Sequence, residues 1–377
     1  MDAFIKVKSL QESELHQKFK LIRDEPYYSG AKKIIESWTS NFHDKDNKIV
    51  TEFQTTFHSS LWEFYLHAMF EELKLPLEVK YNRPDFIISG DSQFYVEAVV
   101  SEIKNGGVPE SERSFDDYLS MLTPISTDEE FSTLINEAIV RHSHSINKKL
   151  DKYTGFYDKN KKRKIEGYVE DSWVDKNKPY VIALASYDQI NYGKEYIYSM
   201  MALLYGLYFS PEKNTYLEKS SIKKPGSDSD IKLGIFNDER MRNVSAVIFS
   251  NTLTLGKLSS LSKSIGHDPS HVINIRYDYE APHYKIHEVD TSNPEFLLDG
   301  VYVFHNPNAN VSFESDAISN SGMLQITKDS HGLAMMGERR PIVARFCSFF
   351  GHKYSELIKS TAASSYNNTI AFDINEN

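Results

Sequence analysis

Three carboxylates, Glu63, Asp85 and Glu97, stand on consecutive apolar segments with spacing that could bring them together. Asp85 and Glu97 belong to RPDFIISGDSQFYVEAVVS, Arg83 to Ser101, where the β-forming runs PDFIIS and QFYVEAVVS each carry one acid. The intervening GDS supplies the small, backbone-bonding residues of a tight hairpin, so the runs read as adjacent antiparallel strands. Pro84 suits a strand start, where its missing N–H breaks no ladder bond. Two carboxylates converging in an apolar setting repel each other unless a cation lies between them. Hard oxygen ligands on rigid strands suit Mg²⁺ or Mn²⁺. The bland alternative has Asp85 finishing a turn and Glu97 facing solvent.

The element that must present Glu63 is helical. From Thr51 to Leu75, TEFQTTFHSSLWEFYLHAMFEELKL, apolar residues recur at helical spacing, with Ser59 or Ser60 as N-cap of the main helix. At about 100° per residue, Glu63 shares the stripe of Leu66, Phe70 and Leu73, whereas Glu71 and Glu72 read as solvated helix charges. A carboxylate on an apolar face costs several kcal/mol unless a metal or a basic partner compensates it. A boundary Glu63 paired with a nearby Arg or Lys is therefore the competing reading.

In this order, helix acid, PD and strand acid, the chain resembles the PD-(D/E)XK nuclease superfamily, with matching positions Glu63, Asp85 and Glu97. The likeness covers Gln54 to Ser101, weakens to about Tyr153, and has no motif beyond. It implies a restriction-endonuclease-like α/β core, a mixed central sheet flanked by helices. It also implies metal-dependent hydrolysis of phosphodiester bonds, in DNA rather than RNA, in a restriction or phage-defence setting. Asp85, Glu97 and the Ala98 carbonyl would hold Mg²⁺ (or Mn²⁺), with Glu63 bound directly or through water. A homodimer or a partner protein of a defence system would follow from the same analogy.

One departure is serious: the lysine expected two residues after the strand acid is Val99. Some family members supply it from the following helix, and FSTLINEAIVRHSHSINKKLDKY, Phe131 to Tyr153, is a long amphipathic one. Lys149 falls about 60° from Ile146, at the edge of the apolar face, and is the substitute; Lys148 and Lys152 fall outside it and project to solvent. The alternative is a helix C-terminus stabilised by solvated lysines. His142, also on the buried side, reads as a core residue. Val99 supports a second function of a different class, an inactive nuclease fold serving as a nucleic-acid-binding or assembly module.

Between Arg141 and Lys164 stand nine Lys or Arg and two Asp, with Tyr153, Phe156 and Tyr157 interleaved. Such a stretch can follow a phosphate backbone, Lys161, Lys162 and Arg163 above all, with rings available for stacking; it can equally be a solvated loop. The whole chain, 377 residues with net charge −10 and pI near 5.7, is unsuited to coating nucleic acid through bulk charge. Its 40% hydrophobic and 13% aromatic content suffices for a core. The longest uncharged apolar run, Tyr196 to Ser210, is shorter than the about 18 to 20 residues that cross a bilayer, so no membrane partner is expected. No export signal opens the chain and Cys347 is the single cysteine, so a reducing cytoplasm is expected.

Three units are expected: a helical lead-in over 1–49 without chemistry, a nuclease-like core over 50–255, and a C-terminal α/β extension over 256–377 of unassigned role. PYVIALASY reads as a central buried strand and NVSAVIFSN as another strand, 216–232 as a surface loop or insertion, and RPIVARFCSFFGHKYSELIKS as a helical finish. Pro269 between His267 and His271 disfavours a helical zinc pair, and Gly256-Lys257 lacks the rest of a phosphate loop.

Overall fold

Eight strands build one mixed sheet: β1 (Leu77–Glu78), β2 (Phe86–Ile88), β3 (Phe94–Val100), β4 (Tyr180–Ala185), β5 (Ala246–Ser250), β6 (Tyr302–His305), β7 (Leu324–Asp329) and β8 (Gly332–Met336). Their order in space follows their order in the chain. Pairs β3/β4, β4/β5 and β6/β7 are parallel and the others antiparallel. The computed structural model describes residues 1–101, 103, 106–114, 125, 127–158, 160–186, 194–278, 284–330, 332–348, 356 and 359–360.

Alternation sorts the core onto two faces. Val96, Ala98, Ala183, Ala185, Ala246 and Ile248 face one way, under α1 (Gln17–Asp24), α2 (Ser29–Thr39), α3 (Ile49–Thr55) and α4 (His58–Glu72). Small alanines let α4 settle close to the sheet, and Trp62 donates its indole N–H to the Ala183 carbonyl at 2.9 Å. Tyr95, Tyr180, Ile182, Leu184 and Phe249 face the other way, under α5 (Asp128–Thr154) and α6 (Tyr198–Tyr205). Gly206, at φ 75°, ends α6 in the left-handed region that glycine adopts without strain. A further helix, α7 (Leu255–Ser264), lies on the first face against α2, where an added Cβ at Gly30 would run into Ser262 Oγ.

Several expectations change. The helix expected from Thr51 breaks at Phe57, which caps α4 in place of Ser59 or Ser60 at φ 61°. The lead-in is part of the core, since Phe19, Ile22, Ile35 and Trp38 pack with α4. The sheet crosses the 255/256 boundary, because β6, β7 and β8 extend it. The polar segment 216–232 carries short antiparallel strands. The first part of the helical finish is a strand over Ile342–Ser348 instead, drawn into pairing with His271–Tyr277, which also pairs with Tyr284–Glu288, while residues 356 and 359–360 are helical as expected. That pairing buries Ile273, Ile275 and Phe346, a gain no isolated helix offers; residues 349–355 lie outside the described residues. No described helix is long and apolar enough to cross a membrane.

Candidate active site

Local register brings the two strand acids together. Phe86 pairs with Val96 and Ile88 with Phe94, so one step further Asp85 comes opposite Glu97, and opposed residues of an antiparallel pair share a face. That face is the α5 side, where Tyr95 lies. Because β2 starts at Phe86, the Ala98 N–H has no strand partner on that edge and donates to Asp85 Oδ2 at 2.7 Å. The Ala98 carbonyl faces the same edge as its N–H, toward Asp85, as β-pairing geometry requires.

α5 brings Lys149 to both acids. Its Nζ donates to Glu97 Oε2 at 2.8 Å and to Asp85 Oδ2 at 3.2 Å. Tyr180 fixes the helix there by donating its hydroxyl to the Lys149 carbonyl at 3.1 Å, and its ring stacks on Tyr153 with centroids 3.9 Å apart. Lys152 corrects its expectation: although 43% exposed, it donates to Glu97 Oε2 at 3.1 Å. A four-carbon stem spans an angular offset that a short side chain could not. Lys148 is exposed, as expected.

Glu97 is wholly buried, and its Oε1 lies 3.0 Å from Lys152 Nζ in an ion pair. Burial, then the charge of Asp85, raise the Glu97 pKa, against the opposing pull of Lys149 and Lys152. Burial alone would lower the Lys149 pKa, but Asp85 and Glu97 hold it above the ordinary lysine value.

Glu63 comes from α4 and borders, with Asp85, a cleft of about 680 Å³. Burial, then Asp85, push its pKa up to about 8. Sequence reasoning missed Lys45, which lines the same cleft and donates to the Pro84 and Asp85 carbonyls at 3.0 and 2.8 Å. Burial lowers its pKa, although Asp85, Glu63 and Glu97 pull the other way. Nothing local in HDKDNK signals this role, which depends on α2 and α3 turning that loop onto the sheet edge. The cleft also carries Asp44, Asp46, Glu52, Glu71 and Glu78, so a polyanion enters it only with cations.

Comparison with protein-family models, curated proteins and solved structures gives no match. Geometry and donor chemistry alone therefore carry the reading. A hard divalent ion would draw here on two opposed carboxylates, a carbonyl facing the same edge and a third carboxyl close enough to feel Asp85, in competition with the Lys149 and Lys152 ammonium groups now paired with Glu97.

Among the described residues, the one set of three His or acid ligand atoms mutually within 4.8 Å is elsewhere, at His16, His58 and Glu110. It has the chemistry of an ion-pair clamp. His16 Nδ1 accepts the Lys18 N–H at 3.2 Å, so the neutral ring carries its proton on Nε2, toward Glu110, and Lys18 Nζ already holds that carboxylate at 2.6 Å.

The basic stretch is partly dismantled. Arg141 is buried and donates to Ser101 Oγ at 3.0 Å, Tyr153 is core, and Lys149 and Lys152 belong to Glu97. Lys161, Lys162 and Arg163 are exposed at the tip of the hairpin Gly155–Asp158/Arg163–Glu166, beside exposed Phe156 and Tyr157; residue 159 lies outside the described residues. His142 is core, packed on Phe249.

Proposed function

We propose that this chain is a metal-dependent nuclease with a restriction-endonuclease-like core, hydrolysing phosphodiester bonds, in DNA by family analogy, and serving restriction or phage defence on the same analogy. The observation that carries the reading is Lys149 donating to both register-opposed acids. That is the chemistry expected of a motif lysine relocated from the position of Val99 to the next helix.

Asp85, Glu97 and the Ala98 carbonyl would hold Mg²⁺ or Mn²⁺, with Glu63 direct or through water. When bound, such an ion lowers the pKa of a coordinated water and offsets charge at the scissile phosphate. Asp85 is kept in place by the Ala98 N–H and, through its own carbonyl, by Lys45. With a cation held there, Lys149 would keep one of its two carboxylate contacts and position the attacking water with its ammonium. Glu63 would have to be ionised, its proton lost to solvent in the adjoining cleft, to serve as a ligand. The hairpin residues Lys161, Lys162 and Arg163 contact backbone phosphates.

A second reading, an inactive fold used for nucleic-acid binding or assembly, draws on Val99 and on the neutralisation of Glu97 by two lysines. Nicking of supercoiled plasmid separates them: the nuclease cuts with Mg²⁺ or Mn²⁺ and stops with EDTA, whereas the binding module retards the plasmid and leaves it intact.

A further inference from the structure

A second cleft, of about 670 Å³, opens in the C-terminal half. Arg276 and His287 reach it from paired strands, Phe296 and Asp299 from the loop before β6, and Arg339 and Arg340 from the loop after β8. Its polar chemistry is dominated by guanidinium groups. Arg276 donates to Asp299 Oδ2 at 2.7 Å and Arg339 to Asp299 Oδ1 at 3.1 Å, so two of them share one buried carboxylate. Arg340 is a third, 41% exposed, its Nε 3.6 Å from Asp278.

His287 adds no competing negative charge. Its Nδ1 accepts from Arg276 Nε at 2.7 Å, which places the ring proton on Nε2, facing the Asn293 carbonyl at 3.0 Å. Counting Asp299 and Glu338 against Arg276, Arg339 and Arg340 leaves the lining with one net positive charge, and Asp278, which faces Arg340 from outside the lining, is itself held by Lys285 Nζ at 2.6 Å. The guanidiniums are also held in place, Arg276 by three acceptors and Arg339 by Asp299 and the Ser321 carbonyl at 2.9 Å. Planar donors already fixed lose little freedom when they bind an oxyanion. At the rim Phe296 is 52% exposed, with Arg339 5.2 Å from its ring centroid. An exposed ring beside a guanidinium is a stacking surface for a nucleobase.

We propose that this cleft binds a phosphate group attached to a nucleobase-bearing sugar, carried by a free nucleotide or by a nucleic-acid strand. Holding the loops in place accounts for Arg276, Arg339, Asp299 and the Phe296 N–H, which donates to Asp299 Oδ2 at 3.1 Å, but the Arg340 guanidinium, turned to Asp278, and the Phe296 ring are no part of that pairing. The site goes beyond the cleavage reading and does not depend on it.

The test uses the full chain in EDTA, so that cleavage plays no part. Calorimetric titration compares dAMP with deoxyadenosine, and fluorescence anisotropy follows a labelled 5′-phosphorylated octadeoxyadenylate. Arg340→Ala and Phe296→Ala are the variants of choice, both at exposed positions; Arg276→Ala would strand buried Asp299 and risks the fold. Phosphate-dependent binding of either probe, weakened about 10-fold in each variant with an unchanged melting temperature, is the expected result. Equal binding of dAMP and octamer identifies a nucleotide site, and octamer binding at least 10-fold tighter identifies a strand site. Equal binding of dAMP and deoxyadenosine with no octamer binding, or wild-type affinity for both probes in both variants, overturns the assignment. Failure here leaves metal-dependent nicking untouched, and absence of nicking leaves this site standing.

Discussion

Glu63 titrates in an accessible pH range, because burial and Asp85 lift its pKa from an ordinary 4.5 to about 8. The folded chain thus binds this proton more tightly than the unfolded chain does. Between about pH 4.5 and pH 8 the unfolded chain has lost the proton and the folded chain keeps it, so this group makes stability fall as pH rises. The full effect is on the order of a few kcal/mol, moderated by water in the adjoining cleft. Glu63→Gln should flatten that slope: thermal melts of the variant and the wild type coincide below pH 4.5, and the variant melts higher above pH 8. A wild-type slope retained in the variant would place the titrating group elsewhere. Because a cation needs the ionised carboxylate, Mg²⁺ should also stabilise the wild type more above pH 8 than below pH 5.

At the scale of elements, the proposed catalytic centre depends on α5. Lys149, one helical turn before Lys152, makes the double contact, Lys152 approaches Glu97 alone, and Lys148 is exposed. Lys149→Ala should lower turnover by a factor on the order of 10² or more with substrate binding little changed, the pattern of a group acting in the transition state. Lys152→Ala should cost about 10-fold through a less well held Glu97, and Lys148→Ala nothing measurable. Val99 lies on the same sheet face as Glu97, two residues on, so Val99→Lys in the Lys149→Ala background should recover part of the rate. Equal small losses across the three alanine variants would remove Lys149 from the mechanism.

For the molecule as a whole, legibility followed locality. The hairpin that opposes Asp85 and Glu97, and the helix that carries Lys149, were readable because turn chemistry, strand alternation and helical period act within a few residues. Lys45 was not, since it meets Asp85 only after the N-terminal helices dock on the sheet. Lys152 escaped because angular position ignores the length of a lysine stem. The strand Ile342–Ser348 read as a helix because its partner, His271–Tyr277, lies some seventy residues earlier. The nine-residue basic count overstated a surface from which the fold withdraws Arg141, Lys149 and Lys152.

What stays on that surface is the hairpin tip, and replacing Lys161, Lys162 and Arg163 together by Ala should reduce the slope of log K against log salt for plasmid binding by up to about three phosphate contacts. An unchanged slope would mark the tip as merely solvated. The central claim, that Asp85 and Glu97 hold a divalent ion for hydrolysis, is tested most directly by the nicking rate of Asp85→Asn in Mg²⁺. The substitution keeps the side chain's shape and removes the charge. The claim predicts a folded protein whose rate falls to the EDTA background; nicking by Asp85→Asn at the wild-type rate would contradict it.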